Sequence, residues 1–327
     1  MVRFLSGDDI RAVLTYPKCI DLMRGAMETV AKDDSVLPLR QAMSLPGGDD
    51  KLGSMPGYLG GDDRGFGVKL LSLFPNNAKA GFSSHMGLYI LFDAQYGEPV
   101  AVMDASVLTA IRTASATAAA TDMLARPEAN IMLVAGTGEQ AESHIHAVSE
   151  IRSFDEVRIW GRSAEKAETL AAKLQPEISA KLVVATDLRN AVQGADILTL
   201  VTSSPTPILD TSSLEPGMHL NTAGASHRGV MEIAPDMLGS ARFIVDYMPS
   251  ALDQAGEMLA ALDQGIISNF NEISEIGDIF LGTKQGRLSK EDVTIYKSLG
   301  IAAQDVAAGN YILRQARKLG LGSEFSM

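Results

Sequence analysis

The stretch Val134-Ala-Gly-Thr-Gly-Glu-Gln-Ala141 constrains this chain more than any other. A run of strand-formers, Ile131 to Ala135, meets a glycine-rich turn, and a helical pattern follows at once. That succession opens a dinucleotide-binding βαβ unit. Gly136 permits the tight turn, and Gly138 lets the backbone approach a pyrophosphate. Ala141 stands where a third glycine is usual, small enough for the helix to pack close to the strand. The N–H groups at the helix start then face the anion. Glycines also mark ordinary turns, so the context decides. Glu156 to Trp160 reads as a second strand, Ser163 to Leu174 as its helix, Lys181 to Ala185 as a third strand and Ala195 to Val201 as a fourth. Alternating strands and helices predict a doubly wound parallel sheet, the Rossmann class of α/β fold.

With 327 residues the chain is long enough for two domains. No apolar run is long enough to span a bilayer, and the first residues carry no apolar signal segment. Cys19 is the one cysteine, so neither an intrachain disulfide nor a cysteine metal cluster is expected. It shares a helical face with Met23 and reads as a buried thiol; the expected compartment is the cytoplasm. A net charge of −12 disfavours nucleic acid and anionic membrane as partners. An anionic substrate must therefore be held by local cations, and cations within apolar runs become informative.

Residues 1 to about 35 read as a short strand and two helices, the first capped by Ser6. Between 36 and 104, apolar runs alternate with turn clusters, which predicts an antiparallel sheet. Its strands are expected at Gly53–Leu59, Phe66–Phe74, Gly87–Phe92 and Pro99–Met103, the last two as a hairpin. Lys69 interrupts the run Gly67-Val-Lys-Leu-Leu71, and Arg40 stands between Leu39 and the Met43–Leu45 segment. A charge in an apolar strand is costly unless it is exposed or paired. Lys69 is thus either a snorkelling edge residue or part of a site. Residues 105 to 125 read as one long helix of small side chains. Arg112 lies on a face with Ser115, Ala116 and Ala119, too small to shield its guanidinium; it reaches an anion or makes an internal salt bridge.

The loop Thr202-Ser-Ser-Pro-Thr-Pro207 follows the fourth strand, at the carboxyl edge where such sheets bind ligands. Gly217–Gly224 and Arg242–Tyr247 are expected as further strands, and helices over Ala251–Leu262, Ser274–Leu281, Lys290–Ser298 and Ala302–Leu319. No acid stands at the end of the second strand to take ribose hydroxyls; the residues there are Trp160-Gly-Arg162-Ser163. Arg162 with Ser163 suits a 2′-phosphate, which puts NADP slightly ahead of NAD. Stacking of Arg162 on adenine would instead admit both. No histidine pair or carboxylate cluster has metal-ligand spacing.

Several segments together resemble the ornithine cyclodeaminase/mu-crystallin family. They are Met55-Pro-Gly-Tyr58, Gly67-Val-Lys69 running on to Phe74-Pro-Asn-Asn77, Ser84-His-Met-Gly87, Leu108-Thr-Ala-Ile-Arg-Thr113, Gly136-Thr-Gly-Glu-Gln-Ala141, His219-Leu-Asn-Thr-Ala-Gly224 and Lys297-Ser-Leu-Gly300. The resemblance implies an α+β substrate-binding and dimerisation domain, residues 1–125 with 301–327, and a Rossmann dinucleotide-binding domain, 126–300. It implies a homodimer whose sheets join across the interface. It sets Arg40, Lys69 and Arg112 around a substrate carboxylate, as the catalytic residues. Ser84, Glu139, Gln140, Thr202, Asn221, Thr222, Ala223 and Ser298 would line the cofactor, with Arg112 also among its contacts.

One departure is informative. Cyclodeaminases of this family carry an aspartate two residues beyond the glycine matched by Gly224, and here that position is Ser226. A neutral hydroxyl is no general base near neutral pH without an activating partner. The expected chemistry is therefore NAD(P)H-dependent reduction of an imine beside a carboxylate, giving an amino acid: a ketimine, iminosuccinate or pyrroline-carboxylate reductase, or an amino-acid dehydrogenase. Redox-neutral cyclodeamination of ornithine or lysine, and a non-catalytic dinucleotide-binding role, are the alternatives. His85 is a further candidate proton donor, and His227 with Arg228 could read a second carboxylate.

Overall fold

The computed structural model describes residues 1–83 and 85–326. The chain divides into two compact units, Met1–Arg112 with Ile301–Met327, and Thr113–Gly300.

The first unit begins with β1 (Val2–Leu5), α1 (Gly7–Val13) and α2 (Tyr16–Ala31). Ser6 caps α1 through a reciprocal capping box with Asp9. Strands β2 (Ser35–Val36), β3 (Gln41–Ser44), β4 (Lys51–Leu59), β5 (Gly65–Leu73), β6 (His85–Phe92) and β7 (Pro99–Asp104) follow, then α3 (Ala105–Leu124). Arg112, inside α3, is the last residue of this unit before the chain enters the second.

The strands β4, β5, β6 and β7 pair antiparallel in sequence order, and β6 with β7 forms the expected hairpin. β3 pairs β4, and β1 joins β7 in parallel, so the sheet is mixed. Side chains of a strand alternate between faces. Gly65, Gly67 and Lys69 therefore share one face of β5, and the register sets Lys69 beside Tyr89 of β6. The chain's last helix covers this face. A Cβ on Gly67 would collide with the Tyr89 hydroxyl and come within 2.7 Å of the Ile90 carbonyl, so the close packing requires glycine there.

The second unit carries the alternation read from the sequence: β8 (Ile131–Ala135), α4 (Glu139–Ile151), β9 (Glu156–Trp160), α5 (Ala164–Leu174), β10 (Lys181–Ala185), α6 (Leu188–Val192), β11 (Ile197–Leu200) and β12 (His219–Thr222). Then come β13 (Arg242–Val245), α7 (Met248–Gln254), α8 (Gly256–Asp263), β14 (Ser274–Glu275), α9 (Ile276–Phe280) and β15 (Thr294–Lys297). The strand order is β10-β9-β8-β11-β12-β15-β13-β14, all pairs parallel. The order reverses between β8 and β11, the switch point of a doubly wound sheet. Leu133, Leu198, Leu220 and Ile295 are among the side chains of its core.

Two expectations are corrected here. The segment Lys290–Ser298, read as a helix, supplies β15, which lies between β12 and β13. All four of its residues are buried, and a strand covered on both faces shows no polar alternation to betray it. The helix expected over Ala251–Leu262 is broken at Ala255 into α7 and α8. Gly256 approaches the Val230 carbonyl so closely that a Cβ would lie 2.5 Å from it, and that contact fixes the break.

The chain returns to the first unit with α10 (Ala302–Leu319) and β16 (Ser323–Phe325), which adds to β1. Gly320, at φ 67°, closes α10 in the left-handed conformation expected of a glycine stop.

Candidate functional site

Lys69 is the residue whose environment the sequence left open, and burial decides it. It sits on an interior strand with 1% of its surface exposed, so it is no snorkelling edge residue. Its partner is Asp305, on the first turns of α10 and completely buried. The Lys69 Nζ lies 3.1 Å from Oδ1 and 2.9 Å from Oδ2 of Asp305. The Arg112 Nε donates to the same Oδ1 at 2.9 Å, and its Nη1 donates to Gln304 Oε1 at 3.1 Å. The anion that Arg112 reaches within this unit is thus an internal one. Its Nη2 makes no hydrogen bond among the described residues.

Two cations share one carboxylate, and the electrostatics follow. Burial pushes the Lys69 ammonium down, and Arg112 pushes it further; Asp305 resists and Arg40 adds to the depression, leaving a pKa of about 7. Burial opposes the charge of Asp305 too, yet Arg112 and Lys69 hold its pKa below the ordinary carboxylate value. Tyr89 lies buried beside this group, its hydroxyl without a hydrogen-bond partner among the described residues. Burial and the Asp305 charge push its pKa well up, so it stays neutral. Arg40 is half-buried in the segment before β3, not inside a strand as its apolar neighbours suggested. His85 opens β6 and feels the Lys69 charge.

In the second unit the dinucleotide fingerprint takes its expected form. Gly136 has φ 143° and donates its N–H to the Trp160 carbonyl at 2.9 Å. A Cβ there would sit 2.8 Å from the Val201 carbonyl. Gly138 is the N-cap of α4, and nothing lies within 4 Å of where its Cβ would project. The turn therefore leaves room at the helix start that any side chain would fill, which fits a bound pyrophosphate. Ala141 is buried against the sheet, as its place in the motif requires. Glu139 and Gln140 open α4, and Gln140 Oε1 is buried with no hydrogen-bond partner among the described residues. Arg162 is exposed in the loop after β9, where Ser163 caps α5 by accepting from the Lys166 N–H.

The loops after β11, β12 and β15 carry the remaining predicted contacts. Ser298 is buried and its Oγ has no partner among the described residues, so it suits a ligand group. Asn221 does not present its side chain: Nδ2 donates to Thr121 and Thr199, and Oδ1 meets the His219 ring. Burial pushes His219 down to about 3, so that ring is neutral. The Thr222 hydroxyl faces Glu257 and the Tyr296 carbonyl, both at 3.4 Å. Asn221 and Thr222 lie within the sheet, β12 being paired with both β11 and β15; the Thr222 carbonyl accepts from the Ser298 N–H and the Ala223 N–H donates to the Leu200 carbonyl. The Thr202 N–H and hydroxyl both donate to Glu232. Ser84, a further predicted contact, lies outside the described residues.

The sequence reading missed Asp305, Gln304, Glu232, Glu257 and the role of Lys297. The signal was present. Asp305 sits in Ala302-Ala-Gln-Asp-Val-Ala, and Glu257 in Ala255-Gly-Glu-Met-Leu. Each is a charge in an apolar run, the anomaly that singled out Lys69. In a chain of net charge −12 an acid stands out less than a cation.

A parallel doubly wound sheet with a glycine phosphate turn, and a second unit built on a mixed sheet with buried cations, define a dinucleotide-binding α/β protein. The chain belongs to the ornithine cyclodeaminase/mu-crystallin family, which it matches over residues 4–319. It is 32% identical over 313 residues to the ketimine reductase mu-crystallin of Mus musculus, covering 94% of this chain and 96% of that one. Among solved structures it resembles the Δ1-pyrroline-2-carboxylate reductase of Thermococcus litoralis in complex with NADH and L-proline (TM-score 0.95, 26% identity, 99% of this chain and 100% of that one). It also resembles an archaeal alanine dehydrogenase dimer with bound NAD (TM-score 0.92, 26% identity, 99% of each chain).

Replacing Asp305 with Asn should be strongly destabilising, because it leaves two buried cations uncompensated; a loss of about 3–5 kcal/mol is expected. Urea unfolding of Asp305→Asn and of Asp305→Asn with Lys69→Met measures this. Removing one cation as well should recover part of the loss. Equal stability of wild type and Asp305→Asn would show that the carboxylate does not balance them.

Proposed function

We propose that the protein is an NAD(P)H-dependent reductase of an imine adjacent to a carboxylate, producing an amino acid. The observation that carries this reading is the buried Lys69–Asp305–Arg112 group. It keeps a lysine poised near neutrality and an arginine nitrogen uncommitted, in a chain whose net charge is −12. Relatives whose names specify ketimine and pyrroline-carboxylate reduction support it.

The guanidinium of Arg112, through Nη2, and that of Arg40 would hold the substrate carboxylate, since planar forks suit bidentate carboxylate binding. Lys69 would orient the imine and donate a proton to its nitrogen, becoming neutral and regaining the proton from solvent. With a pKa of about 7, it gives up a proton far more readily than an ordinary lysine. Asp305 holds the ammonium in place and keeps it from losing its charge to burial altogether. The imine carbon must receive a hydride, which a bound reduced nicotinamide supplies. The turn at Gly136 and Gly138, Glu139 and Gln140, Thr202, Ala223 and Ser298 would hold that cofactor. Arg162 would meet the adenosine end and favour a 2′-phosphate. Ser226, in place of the family's aspartate, weighs against cyclodeamination.

The assembly we propose is a homodimer. Met43, Leu52, Met86 and Leu88 are exposed on the first unit's sheet. Register places Met43 beside Leu52, and Leu52 and Met86 on either side of Ser72. They share the face opposite Lys69, the one α10 does not cover. An apolar sheet face of this kind suits a second copy. Leu88→Asp should shift the sedimentation coefficient of the native protein from dimer to monomer; an unchanged coefficient would exclude this face.

Oxidation of NADH and NADPH, followed at 340 nm, tests the activity. The imines would come from pyruvate, glyoxylate, oxaloacetate and 2-oxoglutarate with ammonia or methylamine, alongside cyclic pyrroline and piperideine carboxylates. Turnover with at least one imine is expected, with the lower KM for NADPH. No oxidation by a protein that binds the cofactor would overturn the reading.

Lys69→Met should lower kcat by roughly 10²–10⁴-fold, the range for a lost acid–base group, with little change in cofactor affinity. In the reductive direction the rate requires the ammonium form. It should therefore fall as pH rises through about 7, and the variant should lack that limb. A wild-type rate in Lys69→Met would remove the lysine from the chemistry.

A further inference from the structure

The second unit contains a buried group that the proposed chemistry does not use. Glu232, fully buried, accepts from the Thr202 N–H at 2.7 Å and the Thr202 hydroxyl at 2.8 Å on Oε1. On Oε2 it accepts from the Gly224 N–H at 2.7 Å. Thr202 follows β11 and Gly224 follows β12, so one carboxylate joins two successive loops at the carboxyl edge of the sheet. The loops touch there. A Cβ on Gly224 would collide with the Thr202 carbonyl and fall 2.5 Å from Glu232 Oε1. A second tie lies beside it. Lys297 Nζ donates to the Ala225 carbonyl at 2.6 Å and pairs with Glu257 at 2.8 Å, all within the interior. Burial pushes the Glu232 pKa up, while the Lys297 charge and the three donated hydrogen bonds pull it back.

Topology says which part of a ligand these loops serve. The glycine turn after β8 takes the pyrophosphate, and the loop after β9, with Arg162, lies to one side of it. The loops after β11 and β12 lie across the switch point, on the other side. They therefore serve the half of a dinucleotide that carries the nicotinamide. A buried charge with three hydrogen bonds and a cation nearby is an expensive arrangement for a loop that merely connects elements. A fixed strap is what a site needs to hold backbone groups within tenths of an ångström.

We propose that Glu232 is a positioning residue of the nicotinamide half-site: its carboxylate locks the Thr202 loop to the Gly224 loop in the spacing that receives the nicotinamide riboside. This rests on the reading of these loops as cofactor contacts. Glu232 touches neither cofactor nor substrate and acts through the two backbones it joins.

The test compares whole and truncated cofactor by titration calorimetry of Glu232→Gln. The glutamine keeps the volume and can still accept from Thr202, but sets an NH2 against the Gly224 N–H, so the strap opens. NADH should bind roughly tenfold more weakly, as expected for a lost charge-assisted hydrogen bond, while ADP-ribose, which lacks the nicotinamide, keeps its wild-type Kd. A general loss of structure would weaken both. Thr202→Val is the milder companion: it removes one donor without unpairing a charge, and should shift NADH in the same direction by a smaller factor. Equal NADH affinity in wild type and Glu232→Gln, or equal weakening of NADH and ADP-ribose in both variants, would overturn the proposal while leaving the dinucleotide site standing. Failure of the wild type to bind ADP-ribose, NADH or NADPH would instead overturn the underlying reading, and the proposal with it.

Discussion

The first unit depends on one carboxylate. Asp305 allows a lysine and an arginine to lie within a hydrophobic layer, between a β-sheet and the helix that covers it. Neither cation could lie there unpaired, since burying an uncompensated ion is strongly unfavourable. Sharing one anion between two cations leaves the group one positive charge in excess. Burial and the second of these cations, Arg112, together depress Lys69. The glycines at positions 57 and 65, which face Ala302 and Asn310 of α10, and the small residues at the start of that helix follow from the same requirement. The helix has to approach the sheet closely for Asp305 to reach both partners.

The second unit uses buried charge in the opposite sense. There two carboxylates, Glu232 and Glu257, surround one ammonium, that of Lys297. Glu232 accepts from two loop N–H groups and a hydroxyl at the carboxyl edge of the sheet, and the Lys297 ammonium donates to the Ala225 carbonyl. In the first unit the excess charge is positive and lies between a sheet and its covering helix. In the second it is spent on holding the protein's own backbone. A buried ion is a rigid object because every hydrogen bond it makes is needed to offset its desolvation.

Much of this was legible beforehand. The glycine turn from Gly136 to Gly138 announced itself because its function is carried by backbone, and backbone geometry is written in glycine. The strands β8, β9 and β10 were readable because helices separate them at regular intervals. Lys69 was conspicuous because a charge in a run of Val and Leu violates the preference for apolar neighbours. β15 escapes the sequence because its four residues are covered on both faces, and its two polar residues, Thr294 and Lys297, fall on opposite faces and mark no period. The family resemblance implies Asn221 and Thr222 as cofactor contacts. Their side chains turn instead into hydrogen bonds within the sheet, and such direction is set by neighbours far away in sequence.

What the sequence by itself determined is the class of fold, the phosphate turn and the cations that need a partner. These follow from local rules: glycine conformations, the periods of helix and strand, and the cost of burying charge. What only the tertiary structure decided is which partner each charge found. Asp305 lies 236 positions from Lys69 along the chain. Glu232 joins two loops that sequence order separates by a strand. Pairing at such distances is fixed by how elements stack, and stacking depends on the sum of many weak contacts. No single segment of the chain records that sum.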